Sequence, residues 1–356
     1  MVDRRTLLAA MAFVPVMLSA SRESLRQEAR GAHMLFGCAV RADQIFADKD
    51  FRELVIAECG EITPELELKW NYLQPARGQY NFSGADALAD FAGRHQMAMH
   101  GHTLLWHDAI PPWVIEALKG DADWDIVAGY FAAILPRYQA TVTTWDVVNE
   151  PIDVMSGRDG LRITPFLEAF GPGYVARALK EARRHAPSTK LFINEYGLIY
   201  NIPEAQAKRA ALLNLIDTIK GEGAPLNGIG VQAHLELEYQ SSFDAAAFAA
   251  FLNELGKRGL EIRISELDVK ENRTELPASQ RDQRAADAVA DVLKVAVANR
   301  AVGTITSWGI SDRYSWLPEA KGAAGYNRGL PVNTDLQEKP MYGAIKDALR
   351  LRHNPS

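Results

Sequence analysis

Short apolar runs alternate with longer amphipathic segments along most of the chain. The runs that predict strands are 34–40, 61–65, 97–103, 141–148, 190–195, 228–233, 261–267 and 303–308. Between them, segments such as 244–258 and 279–299 repeat apolar residues at helical spacing and contain few helix breakers. Alternating strands and helices predict a parallel sheet, and eight such units predict a closed (β/α)8 TIM barrel of the α/β class.

Residues able to bind or catalyse stand at the carboxyl end of nearly every predicted strand. They are Glu65, His102, Asn149, Glu150, Asn194, Glu195, Gln232, His234, Glu266, Asp268 and Trp308. In a (β/α)8 barrel these strand ends form the face that carries the active site. A chance distribution would not favour one end so consistently, so the pattern predicts an enzyme.

Two glutamates among these residues indicate a particular chemistry. Glu150 follows the fourth predicted strand in WDVVNEP (145–151), and Glu266 ends the seventh. These strands lie obliquely opposite each other in a barrel, and paired carboxylates across a cleft are typical of glycoside hydrolases. Alone, Glu150 could be a solvated residue that ends its strand. Because Pro151 disfavours the helical region for the preceding residue, Glu150 is expected to have an extended backbone.

Four tryptophans near predicted strand ends favour a sugar as the ligand. They are Trp70, Trp106, Trp308 and Trp316. Aromatic faces can stack on sugar rings, so these side chains are expected to lie around the two glutamates.

The histidines of the third strand suggest a different interpretation, a metal site. His100 and His102 share one strand face, with His107 nearby, and metal ligands often have this spacing. Metal-dependent amidohydrolase barrels carry such a pair on the first strand, with further histidines on strands five and six. Here the pair is on strand three and strand five contains no histidine, which argues against a metal.

Composition and charge restrict the class of protein further. The 356 residues are 47% hydrophobic and 24% charged, with a net charge of -6 and no basic block, so nucleic acid is not an expected partner. No linker, repeat or low-complexity tract divides the chain, which predicts one catalytic domain at 33–352. Cys38 and Cys59 could pair or remain buried thiols, and they are too few for a disulfide framework.

The first twenty residues have the pattern of an export signal. Arg4 and Arg5 precede an apolar run from Leu7 to Leu18, and small residues follow it. The twin arginine favours a Tat-type route, although an ordinary Sec signal can also carry two arginines. A first helix or a membrane anchor is the alternative, but the run is shorter than the roughly 20 residues of a span. We therefore expect cleavage after a signal at 1–20, a spacer at 21–32, and a periplasmic or extracellular protein without a membrane segment.

Six sequence blocks resemble those of glycoside hydrolase family 10 endo-1,4-β-xylanases. The blocks are TPELELKW (63–70), HGHTLLWH (100–107), WDVVNEP (145–151), VQAHL (231–235), ISELDV (264–269) and WGISDRYSW (308–316). They follow the family's order and cover roughly residues 33–350. The resemblance implies a monomeric enzyme that hydrolyses internal bonds of xylan or xylo-oligosaccharides with retention, without a cofactor or a metal.

The resemblance also implies a role for each matching residue. Glu150 would be the general acid/base and Glu266 the nucleophile, with His234 bonding Glu266 and Asp268 supporting the histidine from behind. Alternation along strand six would place Gln232 and His234 on one face. The implied substrate-binding residues are Glu65, Lys69, His102, Trp106, Asn149, Gln232, His234, Trp308 and Trp316.

Two positions depart from the family where it binds the sugar beyond the cleaved unit. Leu66 replaces an asparagine and Ala109 replaces a glutamine, so we expect an altered −2 subsite. Strand five ends in Asn194-Glu195-Tyr196-Gly197, where the family usually has an aspartate and an asparagine. Two alternatives stay open: a clan relative that prefers glucan or short xylo-oligosaccharides, and a carbohydrate-binding relative without turnover, in which a missing glutamate would be expected.

Overall fold

The strands form a closed barrel in the computed structural model, which describes residues 23–120, 122–273, 275–317 and 327–353. The export signal predicted at 1–20 lies outside these residues. The strands are β1 (Leu35–Val40), β2 (Glu61–Pro64), β3 (Ala98–Gly101), β4 (Val142–Asn149), β5 (Lys190–Glu195), β6 (Gly228–Val231), β7 (His234–Glu236), β8 (Glu261–Lys270) and β9 (Val302–Ser307).

Every pairing between these strands is parallel. The order runs from β6 through β5, β4, β3, β2, β1 and β9 to β8, and β6 also pairs with β8, which closes the sheet. The short β7 continues the direction of β6 beside β8, so the two strands together occupy the sixth position of the barrel. The predicted (β/α)8 TIM barrel is confirmed.

Helices follow the strands around the outside of the barrel. They are α1 (Leu25–Gly31), α2 (Ala42–Ala47), α3 (Lys49–Glu58), α4 (Trp70–Leu73), α5 (Ser83–Arg94), α6 (Pro112–Gly120), α7 (Asp125–Tyr138), α8 (Pro165–Phe170), α9 (Tyr174–His185), α10 (Pro203–Gly221), α11 (Ala245–Lys257), α12 (Ala278–Ala298) and α13 (Pro340–His353). Short 3-10 helices cover His107–Ala109, Gln240–Ser242 and Asp312–Tyr314. No helix within the described ranges is long and apolar enough to span a bilayer.

Helix α1 lies inside the segment that the sequence suggested as a spacer. Ser24 caps it by accepting a bond from the backbone N–H of Gln27, and Leu25 and Ala29 are buried. The backbone N–H of Leu25 also donates to Glu58 at the end of α3. The chain therefore packs on the barrel several residues before the first strand, because α1 has an apolar face to bury.

The outer helices are amphipathic, as α11 illustrates. Phe248, Phe251, Leu252 and Leu255 recur at helical spacing and are buried, and Asp244 caps the first turn through the N–H of Ala247. Burying each such large apolar side chain stabilises the fold by about 1.5–3 kcal/mol.

A buried ion pair spans the barrel interior. Arg263 of β8 donates to Glu61 of β2, and both side chains are almost completely buried. Two strands, β1 and β9, separate β8 from β2 in the sheet, so the contact has to cross the interior. The pair ties two strands together that are not neighbours in the sheet.

Candidate active site

One cleft of about 570 Å³ opens at the carboxyl ends of the strands. It contains twelve of the side chains that the sequence pointed to as catalytic, binding or supporting, but not Trp70, Asn194 or Glu195. The twelve are Glu65, Lys69, His102, Trp106, Asn149, Glu150, Gln232, His234, Glu266, Asp268, Trp308 and Trp316. Residues from seven different strands or the loops behind them thus meet at one place.

Glu266 lies near the centre of this cleft and is almost completely buried. Asn194 Nδ2 donates to its Oε1 at 2.6 Å, and His234 Nε2 lies 3.1 Å from its Oε2. Burial opposes ionisation of Glu266, but the His234 bond, the nearby charge of His102 and the Asn194 bond outweigh it and lower the pKa. Glu266 is therefore an ionised carboxylate at neutral pH.

A chain of three contacts stands behind Glu266. Asp268 Oδ1 lies 2.9 Å from His234 Nδ1, and the indole N–H of Trp316 donates to Asp268 Oδ2 at 2.6 Å. Burial alone would lower the pKa of His234, but the charges and bonds of Asp268 and Glu266 raise it to about 10. His234 is consequently a cation that donates to both carboxylates.

Glu150 directly follows β4, and its backbone differs from the sequence expectation. Its φ is +55°, in the left-handed region, so the extended backbone expected from Pro151 is wrong. Tertiary hydrogen bonds hold this conformation: the Glu150 N–H donates to the carbonyl of Asn194 at 2.8 Å, and Arg162 Nε donates to the Glu150 carbonyl at 2.9 Å. Pro151 restricts the backbone conformations open to Glu150, but these tertiary contacts determine which one it adopts.

The Glu150 carboxylate meets neutral amides instead of cations. Gln232 Nε2 donates to its Oε1 at 3.1 Å, and Asn149 Nδ2 donates to the same oxygen at 3.2 Å. Asn194 Nδ2 also donates to Asn149 Oδ1 at 2.8 Å, so one amide network runs from Glu150 to Glu266. The two carboxylates thus share a cleft and have different environments.

Asn194 is central to this network, although the sequence suggested it only as a polar residue at the end of strand five and gave it no role. Its Oδ1 accepts a bond from Ser265, and its amide reaches both Glu266 and Asn149. Gly230 on the neighbouring strand makes room for it, because a Cβ there would lie 2.1 Å from Asn194 Oδ1. A glycine in an apolar strand was the available signal, since it often marks a close approach.

The sixth strand is interrupted at the cleft, where the sequence predicted a continuous strand. Gln232 and Ala233 interrupt the strand between β6 and β7, and Ala233 has a φ of +61°. Alternation along an unbroken strand therefore does not explain why Gln232 and His234 share the cleft. The break itself turns both side chains towards it.

Lys69 and Glu65 occupy the side of the cleft formed after β2. Burial lowers the pKa of the Lys69 amine, against the charges of Glu266, Glu65 and Glu150, and burial raises the pKa of the Glu65 carboxyl. Lys69 Nζ lies 4.6 Å from the centre of the Trp106 ring. An amine and a carboxyl thus share this side of the cleft.

His100 of β3 and His102, just after the strand, belong to a carboxylate cluster. His100 Nε2 and His102 Nδ1 lie 2.9 and 3.0 Å from the same oxygen of Asp146, and His100 Nδ1 lies 2.6 Å from Thr144. Both nitrogens of His100 are therefore used, which leaves none for a metal. No group of three metal-ligating side chains suited to an ion occurs among the described residues.

Asp146 was missed, although an aspartate inside an apolar strand is a visible signal. It is almost completely buried within β4. Burial would raise the pKa of Asp146, but the charges and bonds of His100 and His102 keep it well below its usual range. Asp146 orients His102, whose ring packs edge-on against Trp308 at 5.2 Å.

The tryptophans divide into two groups. Trp106, Trp308 and Trp316 line the cleft as expected, and Trp316 is 51% exposed. The expectation for Trp70 is wrong: it is 1% exposed and stacks on Tyr130 at 4.1 Å behind the cleft wall. Trp70 begins α4, which turns its ring into the outer core.

The two positions that depart from the family lie next to cleft residues in the chain. Leu66 is half-buried beside Glu65, and Ala109 is 3% exposed at the end of the 3-10 helix His107–Ala109. Their neighbours Glu65 and Asp108 line the cleft, but Leu66 and Ala109 do not. Neither offers a side chain able to hydrogen-bond a sugar.

The two cysteines are close but unpaired. Cys38 of β1 and Cys59 after α3 are free thiols with a sulfur separation of 3.4 Å, and both are fully buried. Burial raises the pKa of the Cys59 thiol. The sequence had left a disulfide open.

A (β/α)8 barrel with two carboxylates and three tryptophans at its carboxyl-terminal mouth defines a glycoside hydrolase. The family model of glycosyl hydrolase family 10 matches residues 24–348, and the chain belongs to this family.

Individual relatives agree with this assignment. The chain is 35% identical over 310 residues to an endo-1,4-beta-xylanase A of Fusarium oxysporum f. sp. lycopersici, covering 83% of this chain and 89% of that one. It is 30% identical over 305 residues to endo-1,4-beta-xylanase B of Thermotoga neapolitana, covering 84% and 83%.

Solved structures of the family superpose closely on this barrel. Native xylanase 10B of Thermotoga maritima is 28% identical with a TM-score of 0.81, covering 94% of this chain and all of that one. Xylanase 10B of Thermotoga petrophila, solved with xylobiose, is 28% identical with a TM-score of 0.82, covering 93% and 98%.

Proposed function

We propose that this protein is an endo-1,4-β-xylanase that hydrolyses internal bonds of xylan or xylo-oligosaccharides with retention of configuration. The observation that carries the proposal is the contrast between Glu266, held ionised by a cation, and Glu150, bonded by neutral amides in the same cleft. Retaining glycosidases need one carboxylate ready to attack and one able to carry a proton. The names of the relatives and the xylobiose bound to one of them support xylan as the substrate.

In this mechanism Glu266 attacks the anomeric carbon while Glu150 protonates the departing oxygen. The glycosyl–Glu266 ester then reacts with a water that Glu150, now a base, deprotonates. His234 stabilises the charge of Glu266 before attack and after release. Asn149, which donates to Glu150 and accepts a bond from Asn194, would bind the 2-hydroxyl of the sugar being cleaved. Glu65, Lys69, His102 and Trp106 would hold the glycone, between walls formed by Trp308 and Trp316.

The direct test is the release of reducing sugar from xylan and from cellulose. Wild-type protein should act on xylan in preference to cellulose, and Glu150→Gln and Glu266→Gln should each lose nearly all activity. Proton NMR of the first product should show the β-anomer before mutarotation. A first product in the α-configuration, or substantial turnover by Glu266→Gln, would refute the assignment.

We further propose that Leu66 and Ala109 weaken the −2 subsite. Each amide that these residues replace could contribute about 0.5–1.5 kcal/mol to sugar binding. Rates on xylobiose, xylotriose and polymeric xylan should therefore show a small gain from occupation of that subsite. Leu66→Asn combined with Ala109→Gln should increase the gain. A wild-type protein with a large −2 contribution that the double variant does not raise would contradict this.

Export is also part of the proposal, with a periplasmic or extracellular location and a Tat-type signal at 1–20. It rests on Arg4, Arg5 and the apolar run from Leu7 to Leu18. Cell fractionation of the full chain tests it, with Arg4→Lys/Arg5→Lys as the matched variant. A Tat substrate should accumulate inside the cell when both arginines are replaced, and unchanged export would indicate the Sec route.

A further inference from the structure

The peptide units around Glu150 are held by one side chain that the reaction scheme leaves without a role. Arg162 lies in the loop between β4 and α8. Its Nε donates to the carbonyl of Glu150 at 2.9 Å, and its Nη2 donates to the carbonyl of Ile152 at 3.2 Å and to the hydroxyl of Tyr196 at 2.8 Å. One guanidinium therefore bonds two carbonyls of the segment that carries the acid/base.

The loop brings Arg162 back to this segment. An antiparallel bridge joins Ile152 to Leu161, and the backbone N–H of Arg162 donates to the carbonyl of Pro151 at 2.8 Å. The ring of Tyr196 lies beside the guanidinium, 5.6 Å from it. Arg162 is half-buried, and these contacts restrict the rotamers of its side chain.

The opposite side of the segment is held by Glu195 at the end of β5. Its Oε2 accepts the backbone N–H of Ile152 at 2.9 Å, and its Oε1 lies 2.9 Å from Lys208 Nζ. Glu195 and Lys208 are both buried. The backbone of Glu150 and Ile152 is thus bonded from the loop on one side and from the barrel on the other.

This arrangement is needed because Glu150 has a φ of +55°. A residue with a Cβ is unfavourable in the left-handed region and persists there only where surrounding contacts enforce it. If the contacts were lost, φ could return to negative values, and the direction of the Cα–Cβ bond, and with it the carboxyl, would change. Glu266 does not depend on Arg162, since His234 and Asn194 hold it.

We propose that Arg162 is a positioning residue for the acid/base: its fork clamps the left-handed backbone of Glu150 and so aims the carboxyl at the leaving oxygen. The inference rests on the proposed function. The proposal predicts that replacement of Arg162 slows only those steps in which Glu150 transfers a proton. Substrates with different leaving groups separate these steps from the others. A phenolate with a low pKa departs unaided, whereas phenol and the sugar hydroxyls of xylan need a proton.

The test compares kcat/KM for 2,4-dinitrophenyl and phenyl β-xylobiosides. The kcat/KM of Arg162→Gln should fall about tenfold or more on the phenyl substrate and stay within about threefold of wild type on the dinitrophenyl substrate. The expected loss is part of the roughly 10²–10⁴-fold that general acid catalysis contributes. The kcat of Arg162→Gln on the dinitrophenyl substrate should fall, because deglycosylation needs Glu150 as a base, and azide should restore it. The retained dinitrophenyl kcat/KM also reports that the variant is folded.

Two further variants make the test specific. Arg158→Gln removes an arginine of the same loop that pairs with exposed Glu168, and it serves as the control. Its ratio of kcat/KM between the phenyl and dinitrophenyl substrates should match that of wild type. Arg162→Lys keeps the charge, but an ammonium cannot reproduce a fork that bonds two carbonyls. It should therefore show an intermediate ratio.

Several results would refute the positioning role of Arg162. If Arg162→Gln or Arg162→Lys lowered kcat/KM equally on both substrates, the side chain would not act through the acid/base. The same would follow if neither substrate showed a loss of kcat/KM. A wild-type ratio in Arg162→Lys would assign the effect to charge alone. A wild-type protein that cleaves neither β-xylobioside would instead refute the proposed function, so the two failures are distinguishable.

Discussion

Removal of the Asp268 charge should lower the pKa of His234, and Asp268→Asn is the variant that tests this. The aspartate is fully buried, its Oδ1 lies 2.9 Å from His234 Nδ1, and an amide can occupy nearly the same volume. The substitution therefore removes the charge with little change in volume, and it replaces one of the two acceptor oxygens that bond His234 and Trp316 by an amide N–H group. His234 would keep Glu266 as its remaining anionic partner, at 3.1 Å.

The size of the effect follows from the pKa of His234, which burial lowers but Asp268 and Glu266 together raise from 6.5 to about 10. That elevation corresponds to roughly 5 kcal/mol. An opposite charge at hydrogen-bond distance shifts a pKa by about 1–3 units, so the loss of Asp268 should lower the pKa of His234 by about two units.

The same shift predicts how stability depends on pH. A histidine whose pKa is higher in the folded state stabilises it fully below the unfolded pKa, and this contribution is lost as the pH rises through the folded pKa. In wild type the decline runs from about pH 6.5 to about pH 10. In Asp268→Asn this decline should end about two pH units earlier. The difference in unfolding free energy between wild type and variant should therefore be constant from about pH 5 to about pH 8 and should narrow towards pH 10.

The assay is a proton NMR titration of the histidine ring signals, with His234→Gln to assign the resonance among the eight histidines. Urea unfolding at several pH values supplies the stability curve. Asp90→Asn, at an exposed site on α5, is the matched control and should leave the titration unchanged. A wild-type His234 that titrates near pH 6.5, or a variant that still titrates near pH 10, would refute the electrostatic reasoning.

Three further predictions address the network, the barrel interior and the thiols. Gly230→Ala should reduce kcat/KM on xylan by about tenfold or more, because the new Cβ displaces Asn194 and removes a bond to an ionised carboxylate; wild-type kinetics would show that the amide is not needed. Arg263→Met should lower the free energy of unfolding by about 3–5 kcal/mol, since it leaves Glu61 buried without a counter-charge, and adding Glu61→Gln should recover most of the loss in urea melts. Ellman's reagent should label neither thiol of the native protein and both after non-reducing denaturation, since burial raises the pKa of Cys59 and shields it; an unlabelled denatured protein would indicate a disulfide.

Much of the fold could be predicted because its signals are local. A strand or a helix imposes its period on a few consecutive residues, and the eight predicted strands all recur within a few residues of their predicted bounds. The carboxyl ends of parallel strands meet at one mouth in any closed barrel, so the residues of the cleft could be gathered without knowledge of their contacts.

Local reasoning was wrong where distant groups decided the conformation. Pro151 predicted an extended Glu150, but contacts from Asn194 and Arg162 hold a left-handed backbone. Trp70 stands next to the binding residue Lys69 in sequence, yet its ring stacks on Tyr130 outside the cleft. In each case a neighbour far along the chain outweighs the adjacent residue.

By itself, the sequence determined the barrel, its active-site face and the pair of glutamates, since periodicity and strand ends are properties of short segments. Only the tertiary structure decided which glutamate is held ionised, which amides join the two, and which arginine holds the backbone of Glu150. The physical reason is range: a pKa and an aimed carboxyl depend on groups a few ångströms away in space, and Asn194 lies 72 residues from the Glu266 that it bonds.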